Sequence, residues 1–395
     1  MFEKIVLRHS QTGIPLTVGE IAEALLFYQK VHVILDSLSI ATIVRTLGTS
    51  ELLALVERGR ITAVYAEDML MATNENVGWT QNHSFMTAMI SGGRNKDEIL
   101  KSRRARLENM LIISNHSRGE ARKLAERFIK RIPITRYSSG YFIKGGVHKA
   151  ATGSLSDPQY VTAAMRRALR DQVGFESFAE NLRVNLIKVS ADKFYIDSNI
   201  DFAAGNARRK EINPELESLG ESGLLVRLLD ASADLNIASF YGGDFYTSLT
   251  NSDIVRVRCS ELLKRTDISA TQLQQFKDIA LHEYPAIRDV INSGERSFAE
   301  FEKLLDQSEK FRQTVHKMGP DENLVAEYFS EAKKEGWLSS LPAKGARFVI
   351  GLGLGLVNPI VGASWGAADS FLLDKLKGWR PSHFVDGKLK PFLDQ

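Results

Sequence analysis

Nine basic side chains crowd one stretch of this chain: Arg103, Arg104, Arg106, Arg122, Lys123, Arg127, Lys130, Arg131 and Arg136. Phe128, Tyr137, Tyr141 and Phe142 interleave with them. Cations of this kind hold phosphate or carboxylate oxygens, and neighbouring rings can stack on bases. The pattern points to an anion-binding surface, with nucleic acid, anionic lipid headgroups or an acidic protein face as its partner. The net charge of +3 conceals how concentrated these cations are. Fifteen Lys and Arg stand against five Asp and Glu from Arg94 to Lys149, and twelve against twenty-one from Glu211 to Ser330. A plainer reading competes. Ala121, Leu124, Ala125 and Phe128 form an apolar stripe at helical spacing, which leaves the cations as that helix's solvated face or as partners of the acidic half. No aromatic RNA-binding motif or zinc finger accompanies them.

Several spellings imitate catalytic motifs. Gly362-Ala-Ser364-Trp-Gly366 has the spacing of a nucleophile elbow, which needs a strand, a sharp turn and a helix, with an acid and a His downstream. Asp369, Asp374 and His383 follow Ser364, but too little chain remains for the strands of a hydrolase sheet. Pro320-Asp321 with Glu331 and Lys333 spells a metal-dependent nuclease, yet the sequence around it is strongly helical where that chemistry needs strands. The glycines Gly351, Gly353 and Gly355 are out of register for a phosphate loop. Asp36 ends an apolar run and reads as a helix N-cap, as Ser37 also could. Asp230 and Asp234 lie one helical turn apart, with Asp244 nearby. The eight His form no cluster, so His148, His282, His316 and His383 read as surface or hydrogen-bonded core residues. One cysteine, Cys259, excludes an intramolecular disulfide. No catalytic residue, cofactor or metal is assigned, and the enzyme readings are the weaker ones.

The apolar run Phe348 to Ala368 carries no formal charge, and as a helix it would be about 31 Å long, roughly a bilayer core. Gly351 and Gly355, and again Gly362 and Gly366, have the spacing of close-packed membrane helices. Trp365 lies inside the run and Trp379 beyond it. Against a simple span, Pro359 and five glycines interrupt the run. The preferred expectation is a buried hairpin of two short helices, with an inducible membrane element as the alternative. Phe348, Gly351, Gly355, Pro359, Gly362, Trp365, Gly366 and Trp379 are the residues expected to serve membrane contact or assembly.

The elements that must position these groups read as an α+β protein. Lys4 to Arg8, Val31 to Leu35 and Ile61 to Tyr65 are expected strands. Helices are expected over Ile40–Leu47 and Glu51–Arg58, each stopped by a glycine. Met69 to Ile90 reads as a hairpin or meander, and Leu182 to Phe202 as a hairpin about Asp192. Helices are expected over Lys96–Ile112, after the capping boxes Thr17/Glu20, Ser117/Glu120 and Ser297/Glu300, and after Asp157-Pro158. Beyond residue 211 the chain reads as all-helical. The expected division is a mixed domain over 1–210, an acidic helical domain over 211–342 and an apolar segment over 343–395. No secretory signal is read at the N-terminus.

Together these readings point to a cytoplasmic, non-enzymatic binding or effector protein, with peripheral or inducible membrane association. It would recognise a polyanionic or protein partner and use its C-terminal segment for membrane contact or self-assembly into a homo-oligomer. A nucleic-acid-binding protein with that segment as buried core is the alternative.

Overall fold

The computed structural model describes residues 2–10, 15–77, 80–89, 102–173, 181–190, 192–245, 251, 254–255, 257, 272–278, 280–281, 284–317 and 384–394. The chain divides into two compact units. One gathers Lys4–Thr17 and Lys30–Lys264, and the other Met1–Glu3, Val18–Gln29 and Arg265–Gln395. Helices accompany two sheets, so the fold is α+β.

The larger unit begins with β1 (Lys4–Arg8), an apolar run buried along most of its length. Helix α1 (Val18–Phe27) follows in the chain but belongs to the smaller unit. β2 (Lys30–Leu35) then leads to α2 (Ser37–Thr46) and α3 (Thr49–Glu57). Asp36 caps α2, accepting hydrogen bonds from the Leu38 and Ser39 amides, while Ser39 closes a reciprocal capping box. Gly48 makes the turn into α3 at φ +91°, a left-handed conformation that a Cβ would strain. β3 (Ile61–Ala66) is followed by the antiparallel hairpin β4 (Met69–Val77) and β5 (Thr80–Ala88).

Two basic helices come next, α4 (Arg103–Ile113) and α5 (Arg118–Arg131), which contact each other. The expected capping box at Ser117 is formed with Glu120. The short β6 (Ile134–Thr135) precedes α6 (Val147–Ser154) and α7 (Pro158–Val173). Asp157 caps α7 through the Gln159 and Tyr160 amides. β7 (Val184–Lys188) and β8 (Lys193–Ser198) form the second hairpin, and α8 (Phe202–Ile212) and α9 (Glu221–Tyr241) follow. The unit also contains β9 (Asp244–Phe245), a strand in the stretch expected to be all-helical. Two residues are too short for a periodicity signal, and pairing with β1 is what makes them a strand.

β1, β2, β3, β6 and β9 form one parallel sheet in the order β6-β3-β2-β1-β9. Near-continuous apolar strands suit such a sheet, whose two faces are both covered. The second sheet is antiparallel, in the order β4-β5-β8-β7. Phe85, Phe194 and Ile196 from this sheet share a core with Met165 of α7 and Leu225 and Leu229 of α9.

In the smaller unit, α1 contacts α10 (Ile287–Ser293), α11 (Phe298–Gln307) and α12 (Glu309–Lys317). A Cβ on Gly19 would collide with the Arg288 carbonyl oxygen, so glycine is what permits the α1–α10 contact. Phe27, Phe276 and Phe311 pack as a ring cluster, and Phe384 stacks on Phe311 with centroids 5.0 Å apart. One π-helical turn, Val385–Leu389, and α13 (Lys390–Leu393) complete the unit. Among the described residues no single helix is long and apolar enough to cross a membrane.

Candidate functional site

The basic block is built on α4 and α5, and carboxylates meet most of it. Glu67, buried just beyond β3, receives Arg106 Nε at 2.5 Å, Arg136 Nε at 3.2 Å and, more loosely, Arg103 Nε at 3.7 Å. Arg104 bridges Glu108 at 2.7 Å and Glu126 at 2.5 Å. Arg127 and Arg131 both reach Glu57, at 2.8 and 3.4 Å. The Arg127 hydrogen bond holds the Glu57 carboxyl below its usual range. Arg122, Lys123 and Lys130 remain: all are exposed, and none has a carboxylate partner among the described residues. Arg118, on the first turn of α5, is exposed in the same way.

The rings read as stacking partners for this block are mostly elsewhere. Phe128, Tyr137 and Phe142 are core residues, and of the four only Tyr141 is exposed. The apolar stripe of α5 explains this: Phe128 lies on it and packs edge-on to Tyr65 at 5.9 Å.

A second charged cluster sits at the carboxyl end of the parallel sheet. Arg8, the last residue of β1, is buried between two carboxylates of α9, with Nε 2.5 Å from Asp234 and Nη2 3.0 Å from Asp230. Ser10 donates to the other oxygen of Asp230 at 2.9 Å. Burial pulls the guanidinium's pKa down, but Asp234 and Asp230 outweigh it and hold the value well above normal. Asp68 follows β3 and accepts from the Tyr137 and Ser138 amides and the Ser138 hydroxyl. The Tyr137 phenol, raised by burial and then by Asp36, lies in the same neighbourhood. β1 is where the strand order turns back, with β2 on one side and β9 on the other, and open parallel sheets bind ligands outside the carboxyl ends at such a point. The charges described here are spent on one another and tie α9 and the loops to the sheet.

A third group lies on the surface; Tyr141 and Phe142 stand beside the cations in the sequence, but nothing in the sequence marks Phe240, Tyr241 or His32. Phe240 and Tyr141 are 47 % and 40 % exposed, with ring centroids 5.5 Å apart. Tyr241 meets Phe240 edge-on at 5.0 Å, and His32 of β2 stacks on Tyr241 at 4.4 Å. Phe142 backs the group from the core, 5.8 Å from Phe240. Burial, then Lys4 and Lys30, lower the pKa of His32, which keeps its ring neutral at neutral pH. Its Nδ1 pairs with the Thr62 hydroxyl. Burial, and beyond it Tyr141, raise the Tyr241 phenol well above its usual value. Lys4 reaches the Tyr241 carbonyl at 3.5 Å. Lys144 and Lys149 follow Tyr141 and are exposed, and Lys149 lies beside Gly145. None of these four lysines has a carboxylate partner among the described residues.

Histidines fall where hydrogen bonding needs them. His148 Nε2 donates to the Phe85 carbonyl at 2.7 Å, and His316 Nε2 to the Phe27 carbonyl at 3.0 Å. His83, which nothing in its sequence context marks, is buried with Nε2 2.8 Å from Glu221 and Nδ1 2.9 Å from Asn74 Oδ1. No group of three or more His, Cys, Asp or Glu side chains among the described residues could hold a metal ion. The expected membrane or assembly residues Phe348, Gly351, Gly355, Pro359, Gly362, Trp365, Gly366 and Trp379 lie outside the described residues, as do Asp321, Glu331, Lys333, Ser364, His282 and His383. Comparisons with protein families, curated proteins and solved structures find no match for this chain.

Proposed function

We propose that this chain is a non-enzymatic binding or effector protein that recognises a polyanionic partner. Its C-terminal apolar segment, folded as a glycine-rich helical hairpin, would mediate membrane contact or assembly. The protein would act in the cytoplasm, with peripheral or inducible membrane association. One observation carries the recognition half: Arg118, Arg122, Lys123 and Lys130 stand exposed on α5 without carboxylate partners among the described residues, while their neighbours are paired. A cation held by a carboxylate has part of its charge offset, so those without one present the fullest positive charge to an outside anion.

The test is binding of polyphosphate to the full chain over a range of salt concentrations. The expected result is binding whose logarithm falls linearly with log salt. Reversal of Arg122, Lys123 and Lys130 to Glu should flatten that slope by roughly 0.7–0.9 for each phosphate no longer neutralised. Unchanged affinity and slope in the triple variant would remove α5 as the recognition face. A nucleic-acid reading has its own support in the ring and lysine surface about Phe240.

A further inference from the structure

We infer that the surface formed by Phe240, Tyr141, Tyr241, His32, Lys4 and Lys30 binds single-stranded nucleic acid by stacking its unpaired bases. The surface is carried by α9, β1, β2 and the loop before α6 rather than by α5. This inference and the polyanion reading of α5 can therefore fail separately.

Two half-exposed rings side by side are costly unless something covers them, because aromatic side chains gain most of their stabilisation from burial. An apolar protein partner would cover rings, but it would also have to desolvate the ammonium groups beside them. Lys4 Nζ reaches the Tyr241 carbonyl at 3.5 Å, and Lys30 stands two residues before His32 on the same face of β2, so positive charge borders the rings. A partner that presents flat apolar faces and negative charge at short intervals matches both features. Single-stranded nucleic acid does this: its bases cover the rings and its phosphates meet the lysines. A duplex does not, because its base faces are already stacked. Anionic lipid meets the charge but offers no planar face. The neutral His32 ring, already stacked on Tyr241, extends the platform without adding a charge to it.

The experiment compares three probes on the full chain: a short oligodeoxythymidylate, an abasic strand with the same number of phosphates, and a duplex of equal length. The expected order is oligothymidylate well above the other two. Phe240→Ala should weaken oligothymidylate binding about 5- to 150-fold, the range equivalent to ~1–3 kcal/mol of base stacking. The same change should leave the abasic strand's weak binding unaltered. Phe240→Leu keeps the apolar volume that packs on Phe142 but lacks a ring, and should lose binding nearly as far. Lys30→Gln should weaken oligothymidylate and abasic strand alike. The inference is overturned if the abasic strand or duplex binds as tightly as the oligothymidylate. Wild-type affinity in Phe240→Leu overturns it too, as does the absence of oligothymidylate binding at low salt. If the α5 reversal abolishes polyphosphate binding while Phe240→Ala changes nothing, only the polyanion reading survives.

Discussion

At the scale of single residues, Arg8 shows how much of the larger unit depends on one buried cation. Both carboxylates that hold it come from α9, more than two hundred positions later in the chain. Removing one partner of a buried ion pair costs more than removing all of it, because the survivors keep their charge without compensation. Arg8→Met should therefore lower the unfolding free energy by about 3–5 kcal/mol, measured by urea denaturation. Adding Asp230→Asn and Asp234→Asn should recover much of that loss. A single variant as stable as the parent would mean that the remaining contacts of Asp230 and Asp234, such as the Ser10 hydroxyl, compensate their charge. His316 gives a second expectation, for the smaller unit. Burial, with Arg312 adding to it, pushes its imidazole down to about 4 from 6.5, although the bond to Phe27 works the other way. The unfolded chain takes up this proton at higher pH than the folded one, so stability is lost as pH falls from about 6.5 towards about 4. The loss approaches ~3 kcal/mol at most, since each tenfold change in proton affinity is worth about 1.4 kcal/mol and partial exposure screens it. His316→Gln should remove this component, visible as a flatter dependence of melting temperature on pH in that window. An unchanged profile would assign the acid sensitivity to other groups.

At the scale of elements, the division between legible and illegible follows the range of the forces involved. Capping boxes at Ser117 and Ser297 are local chemistry, a hydroxyl and a carboxylate three residues apart, and both form as their spacing implies. So do the strands from Lys4, Lys30 and Ile61, the two hairpins, and the helix that starts at Pro158. β9 and β6 are two residues each, and only the neighbouring strand makes them strands. α8 carries Asn206, Arg208 and Arg209 with little apolar periodicity, and its Asn206 is spent on both backbone groups of Leu219. The candidate sites divide in the same way. The block of cations is plain in the sequence, but Glu57 and Glu67, which pair with five of the nine, lie far from it in the chain. Tyr141 stands beside those cations in the chain, whereas nothing local marks Phe240 or His32, because their alignment on one surface comes from packing α9 against α6 and β1.

At the scale of the whole molecule, the smaller unit is assembled from both ends of the chain. α1 comes from the first thirty residues, and the unit's last buried side chains come from the final dozen. Phe384 stacks on Phe311, Arg296 donates to the carbonyls of Phe392 and Asp394, and Val385, Leu389 and Leu393 are buried. The apolar run from Phe348 to Ala368 is thus bracketed by Lys317 and Phe384, both of which belong to this unit. This constrains the membrane proposal. If the proposed membrane contact is made, a segment tethered at both ends to one folded body would have to return to the side from which it entered, as the proposed hairpin would. It also decides how to test the idea, because truncation before residue 343 would strip Phe384 and Leu389 from a core and confuse unfolding with loss of membrane contact. The informative variant keeps the full chain and places charge in each arm, Leu354→Asp with Val361→Asp. A charge at bilayer depth costs roughly 2.5–3.5 kcal/mol per residue, enough to prevent insertion of so interrupted a segment. Flotation with neutral and anionic vesicles, alongside dye release, should then show binding by the parent chain and its loss in the variant, with unchanged melting of the folded units. Equal flotation of both proteins would assign membrane contact to other residues. Flotation of neither would leave the segment to assembly or to the core.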